Sequence, residues 1–503
     1  MLFNSFVFLF LFLPASLAAY LVLMRHGRAR AAVALVVLAS VVFYAYWSPR
    51  HVLVFLGSIA ANFALGRLIA EDGRAGLRRA LLAAGVLLNL GLLGYFKYSG
   101  FVAGLVAGSA QDSQFMEFIT SVALPIGISF YTFQQIAYLV DVHRDRIRYG
   151  FVEYAFFVAF FPQLIAGPIV HHAEIIPQLA RVRRRLSGGR YVVGFLAPGI
   201  ALLVIGLAKK VILADAMGEF ADLGFDAAAR DQPVGFIEGW GSAVAYALQI
   251  YFDFSAYSDM AIGLGLLFGI RLPVNFDSPY KSASIIEFWR RWHMTLSRFL
   301  RHYLYIPLGG NRRGEARRYL NLMITMALGG IWHGAGLTFV LWGAVHGALL
   351  ALNHLWRAFS PWRPPRPLAV ALTFGLVILA WVPFRAPDLG TTVALWRAML
   401  GFDGVAVPAA YGGLVAALGP VAQVFGIHAG QVLHFDGFRQ LMHLALGLLI
   451  VLGCPNAVSL LRARPRRAFM SSRLAAAGAG AMATLTLVTM YVREEVTFLY
   501  FQF

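Results

Sequence analysis

The chain has 503 residues, of which 59% are hydrophobic and only 13% charged. This is more apolar surface than a water-soluble domain can bury, so the composition indicates an all-α polytopic membrane protein and excludes an ordinary soluble enzyme. The net charge of +18 falls in short arginine clusters between apolar runs, as in cytoplasmic loops, and so gives no ground for nucleic-acid binding; the single cysteine, Cys454, excludes disulfides and Cys-type metal sites within the chain.

Residues 2–24, 31–47, 51–70 and 80–97 read as four successive spans, each a mostly apolar run between polar or basic breaks. The first lacks a basic segment before it and is followed by Arg25, Arg28 and Arg30, the reverse of a signal peptide, so it is expected to stay as a spanning helix with its N-terminus outside. Lys97, among aromatics at the end of the fourth run, reads as a snorkelling anchor. Residues 121–140 form a fifth span whose Ser129, Tyr131, Thr132, Gln134 and Gln135 must face other helices or a cavity, because lipid leaves such groups unpaired. The run 156–170 has arginines on both flanks and is broken by Pro162, Gly167 and Pro168, which predicts a re-entrant or interfacial segment. His171, His172 and Glu174 follow it; adjacent histidines match no strong metal spacing, and no metal is expected there.

A sixth span covers 191–212, and the next apolar block, 236–269, is too long for a single straight helix. It contains QIYFDFSAYSDMAIG, where helical spacing sets Asp253 and Tyr257 on one face and Ser255 and Asp259 on another. Carboxylates inside a spanning segment are functional candidates by default; the alternative is that they bond to backbone, Arg271 or Lys281. Residues 284–304 predict an amphipathic helix along the cytoplasmic interface, capped by Ser284 and Glu287. Trp289 lies on its aromatic stripe, and Arg290, Arg291, Arg298 and Arg301 lie mainly off it, suited to lipid headgroups or to a phosphate-bearing donor.

Residues 320–355 predict a helical hairpin turning at or near His333 in GGIWHGAG. A histidine among small residues in an apolar run should line a protein cavity rather than face acyl chains, and the glycines let a backbone or substrate come close; a core histidine in a broken helix is the plainer reading. His346 falls on a different helical face, as a packing or supporting histidine. Three further spans follow at 368–384, 439–454 and 473–492, with 401–438 as an external loop or short re-entrant element. The tally is about eleven or twelve passes around a central cavity. It forms a single domain over 1–503, with N-terminal spans to 97, a core at 121–356 and C-terminal spans from 368. Charge places the loops around Arg28, Arg74, Arg184, Arg313 and Arg464 in the cytoplasm and residues near 110, 225 and 420 outside.

The segments LPIGISFYTFQQIAYLVDVHR, FFPQLIAGPI, YFDFSAYSDMAIGLG, FDSPYKSASIIEFWRRWHMTLSRFLRHYLYIPLGGNR, GGIWHGAG and the closing FLYFQF, taken in order, resemble the membrane-bound O-acyltransferase family. The likeness is to the bacterial branch that includes the alginate O-acetyltransferase membrane subunit. It implies that His333 is the hallmark histidine and His293, in RRWHMTLSR, the second polar position. It also implies acetyl-CoA as a donor bound from the cytoplasm, with no tightly bound cofactor. Acetyl would pass through the inner membrane to an exported polysaccharide, with periplasmic acetylation proteins as partners. Acyl transfer to a hydroxyl needs a base near neutrality, a role His333 can take, with Trp332 or backbone amides as oxyanion donors. Asp253, Ser255, Tyr257, Asp259, Trp289, Arg290, Arg291 and Arg298 complete the candidate binding set. A secondary transporter, with Asp253 and Asp259 at mid-membrane, or a non-catalytic scaffold of a polysaccharide export complex stays open as an alternative.

Overall fold

The computed structural model describes residues 1–107, 123–186, 191–424, 426–430, 432–462 and 473–499. The loops near residue 110 and Arg464, and the last residues of FLYFQF, lie outside the described residues. Among the described residues seven helices are long and apolar enough to cross a membrane: Phe8–Arg25, Ala29–Trp47, Pro49–Glu71, Ala75–Gly104, Gly194–Ala229, Leu337–Phe359 and Arg366–Arg385, with Gly437–Gly453 and Ala476–Val492 as shorter apolar helices. The chain is therefore a multi-pass, mainly helical membrane protein. Helices such as Ile128–Asp145 and Glu315–His333 are not among the seven; buried Gln134, Gln135 and Asp141 in the first, and buried Asn321, Thr325 and His333 in the second, make them less apolar.

The described residues divide into two compact units, one comprising Met1–Ala208, Ala256–Asn275 and Ala457–Gln502, the other Lys209–Ser255 and Phe276–Asn456. In the first unit Phe3, Phe8, Phe43 and Phe161 form an aromatic core, with Phe3 and Phe8 ring centroids 5.0 Å apart and Phe43 and Phe161 5.5 Å apart. Beside this apolar packing runs a polar seam. Gln135 Oε1 accepts from Ser58 Oγ and Asn62 Nδ2, both at 2.7 Å, and Asn89 Nδ2 donates to Asn62 Oδ1 at 2.6 Å. These bonds join three helices where neither lipid nor water would satisfy the amides, so the polar face expected of 121–140 is held by protein. Lys97 is half-buried, and its Nζ reaches Ser129 Oγ at 3.5 Å.

The 156–170 run is broken as its prolines predict, with helix Phe151–Ala159 ending before the single turn Phe161–Leu164. Residues 155–170 are all buried, so the non-helical stretch is covered by protein, where its backbone groups can be satisfied. The sixth span runs on without a break to Ala229, well past residue 212. Phe236–Leu267 is one helix of 32 residues, where the sequence suggested that a single straight helix could not fit.

In the second unit Glu315–His333 and Leu337–Phe359 form the expected hairpin, joined by Gly334–Gly336. Its helices meet at glycines. A Cβ on Gly330 would stand 3.2 Å from Gly343 Cα, and one on Gly343 would stand 2.9 Å from Ala327 Cα, so only glycine allows this approach at both positions. Segment 401–438 contains two short parallel strands, Val405–Pro408 and Ile427–Gly430, in the register Val405 opposite Ile427, with helices Gly412–Leu418 and Pro420–Val424 between them.

Candidate active site

His333 is the last residue of its helix and is buried, 5% exposed. Its ring meets Trp332, Trp342 and Phe384 edge-on at centroid distances of 4.9, 5.1 and 5.2 Å. These walls come from both hairpin helices and from Arg366–Arg385, and they keep the imidazole among aromatic rings instead of in lipid. The His293 ring lies 6.3 Å from the His333 ring and 4.8 Å from Phe254, and is fully buried. The two histidines singled out in the sequence, 40 residues apart, are thus brought together.

His293 gets there because the expected 284–304 surface helix does not run through. It begins as predicted, with Ser284 Oγ accepting from the Glu287 amide at 3.1 Å, although the Glu287 carboxylate returns to the Ala283 amide, one residue earlier than in a standard capping box. At its far end the Arg291 carbonyl accepts from the Asp277 amide at 2.9 Å. Helix Ile285–Arg291 stops there, His293 takes a left-handed φ of +42°, and a second short helix, Met294–Leu300, starts beyond it. A non-glycine residue in that region is strained, and the strain aims the imidazole inward. On the stripe, Ile285, Trp292 and Leu296 are buried and Trp289, Phe299 and Tyr303 half-buried, so its aromatic side faces inward as expected although the helix is broken in two. Burial pushes the His293 imidazole down to about 3, so it is neutral at physiological pH.

Around this pair Trp289 Nε1 donates to His346 Nδ1 at 3.3 Å, and the His346 ring lies 4.8 Å from Trp342. His346 is fully buried and supports the aromatic wall, as its position in the sequence suggested. The Trp342 indole N–H is buried with no hydrogen-bond partner among the described residues, a donor left over within the same wall. Sequence reading missed Trp342 and Phe384; Trp342 stands nine residues after His333 and carries no motif of its own, and only the hairpin brings it back.

The arginines divide. Arg290 and Arg301 are exposed and Arg298 is half-buried, whereas Arg291 pairs with Glu287 at 2.9 Å and donates to the Asp277 carbonyl. Asp253 pairs with Lys210 at 2.9 Å, not with Arg271 or Lys281; the same Nζ meets Asp215 at 2.7 Å, and all three side chains are largely buried. Lys210 was not singled out in the sequence, where it falls inside the span 191–212. Ser255 is buried in the second unit, its hydroxyl without a hydrogen-bond partner among the described residues. Tyr257 and Asp259 belong to the first unit, where Tyr257 packs against Phe3 at 4.9 Å and Phe498 at 5.1 Å as a core residue. For a metal, the described residues offer one group, Asp141 with His171 and His172 in the first unit.

A buried histidine with a second, neutral histidine beside it and a spare indole donor can accept a proton and stabilise a negatively charged oxygen. The model of the membrane-bound O-acyltransferase family matches residues 6–382, a stretch that includes His293, His333 and Trp342. The chain belongs to this family. The membrane-bound O-acyltransferase assignment makes it an O-acyltransferase and removes the transporter and scaffold readings. The chain is similar to the peptidoglycan O-acetyltransferase of Helicobacter pylori, 41% identical over 441 residues that cover 81% of each chain. It is also similar to the probable alginate O-acetylase AlgI of Pseudomonas aeruginosa, 42% identical over 406 residues, 80% of this chain and 75% of the relative. A more distant likeness is to the teichoic acid D-alanyltransferase of Streptococcus thermophilus, 27% identical over 289 residues, 52% of this chain and 68% of the relative.

Proposed function

We propose that this acyltransferase takes acetyl from acetyl-CoA on the cytoplasmic side of the bacterial inner membrane and passes it toward hydroxyls of an exported polysaccharide. The observation that carries the proposal is the placement of buried His333 at the end of its helix, against Trp342 and within 6.3 Å of His293. His333 takes the proton of the acceptor hydroxyl while that oxygen attacks the thioester carbonyl. The C–S bond then breaks, and the thiolate leaves with a proton returned by His333. The unpartnered Trp342 N–H, with Trp332 beside His333, is suited to the tetrahedral oxyanion. His293, neutral because it is buried, orients the reacting groups by hydrogen bonding and does not exchange a charge.

The exposed Arg290 and Arg301, with Arg298, suit the phosphates of a CoA donor, since guanidinium groups bind phosphate in charge-assisted pairs. The relatives' names, peptidoglycan O-acetyltransferase and alginate O-acetylase, favour a polysaccharide over a lipid acceptor. Periplasmic acetylation proteins would complete delivery. The test uses the full chain in proteoliposomes with radiolabelled acetyl-CoA inside and a soluble polysaccharide outside, alginate first. CoA thiol release that depends on this protein is expected, with label on the polymer once the periplasmic acetylation proteins are added outside. A protein that releases no thiol from acetyl-CoA, with or without acceptor, does not use this donor.

A further inference from the structure

In the first unit, two histidines that follow a proline-broken segment meet a carboxylate from another helix. His171 Nε2 and His172 Nε2 both face Asp141 Oδ2, the second at 3.1 Å, and the three ligand atoms lie within 4.8 Å of one another. Asp141 and His172 are buried at 1% exposure, whereas the His171 side chain is 30% exposed. We propose that Asp141, His171 and His172 form a zinc site in this protein. In sequence the pair His171–His172 carries no metal spacing, because its third ligand stands 30 residues upstream on Ile128–Asp145.

The donor chemistry favours zinc. Two imidazole nitrogens and one carboxylate oxygen make a borderline set, which suits zinc over the hard, all-oxygen-seeking calcium or magnesium. Ligands about 2.0 to 2.1 Å from a tetrahedral zinc lie roughly 3.3 Å from one another. The 3.1 Å between His172 Nε2 and Asp141 Oδ2 is already close to that edge, and the half-exposed His171 leaves a side open for a water as fourth ligand. Outer partners are in place. The Tyr149 hydroxyl lies 3.0 Å from His172 Nδ1, where it would accept the N–H of a ring bound through Nε2, and Arg144 holds the other Asp141 oxygen at 3.3 Å. His171 binding through Nε2 gives up one long contact, 3.3 Å from Nδ1 to the Ala173 amide at the start of His172–Arg185.

The competing arrangement of the same atoms is a hydrogen-bonded His–Asp–His cluster without metal, and elemental analysis separates the two. Full-length protein freed of its affinity tag, purified in detergent from cells grown with zinc, is expected to hold about one zinc per chain. X-ray absorption at the zinc edge should show two imidazoles and oxygen ligands and no sulfur. Removing the ion with a chelator should lower Tm by several degrees, and zinc alone should restore it. His172→Ala and Asp141→Asn should lose the zinc, while His354→Ala, on the other unit, should keep it. Wild-type protein with less than about a tenth of a zinc per chain and no Tm response to added zinc overturns the proposal, as does zinc that persists in both cluster variants.

Discussion

At His293 a backbone strained into the left-handed region and complete burial combine in one residue. Its folded pKa of about 3 lies below the unfolded value of about 6.5, so the stability it contributes is complete above pH 6.5 and falls as pH drops from there toward 3. Thermal unfolding of His293→Asn should therefore lose part of the acid sensitivity shown by the wild type between pH 6.5 and 4.5. An acid limb of kcat/KM near neutrality cannot come from His293, and it should persist in His293→Asn if His333 is the base. Arginine roles separate by the same kind of reasoning. Arg290 is exposed, whereas Arg291 is tied to Glu287 and to the Asp277 carbonyl at the end of the first short helix. Arg290→Gln should raise KM for acetyl-CoA about tenfold with little change in kcat, from the loss of roughly 1.5 kcal/mol of phosphate bonding. Arg291→Gln should mainly lower Tm; acetyl-CoA titrations and melting curves in one detergent distinguish the two. The sequence could nominate all four arginines but could not tell them apart, because what sets Arg291 aside is the carboxylate one turn before it and a carbonyl in the preceding loop.

The elements that the sequence showed most clearly are those fixed by local pattern. The hairpin turn followed from glycines around His333, and the spans Ala29–Trp47 and Val52–Glu71 followed from apolar runs with basic ends. Elements set by distant partners were misread. The 284–304 helix breaks where the Asp277 amide, outside the helix, takes the Arg291 carbonyl, and the sixth span, read as ending at 212, runs on to Ala229 with Asp253 and Asp215 receiving the ammonium of Lys210 inside it. That buried ion cluster makes its own prediction. Lys210→Met leaves two carboxylates facing each other and should destabilise the protein by about 3 to 5 kcal/mol, the usual cost of breaking a buried pair from one side. Asp253→Asn keeps Asp215 on Lys210 and should cost less. Denaturation in detergent measures both; an Asp253→Asn protein with unchanged stability and lost activity would instead give Asp253 the substrate role first read for it.

For the whole molecule, composition alone was enough to require a multi-pass helical membrane protein, since so little of the chain is charged. The order of motifs was enough to suggest the family that the comparisons bear out. Neither could show that Tyr257 is a core residue packed on Phe3 and Phe498, because the ring partners come from the two ends of the chain. Nor could they show that Trp342 stands beside His333, which depends on the close glycine contacts of the hairpin. His333 as the base of acyl transfer is the central assignment. Its most direct test is steady-state transfer from acetyl-CoA by wild type and His333→Ala in the same proteoliposomes, with equal insertion checked by protein yield and Tm. Loss of a general base predicts a fall in kcat of about a hundredfold to ten-thousandfold with the donor KM nearly unchanged. A His333→Ala protein that turns over within a few-fold of wild type would contradict the account.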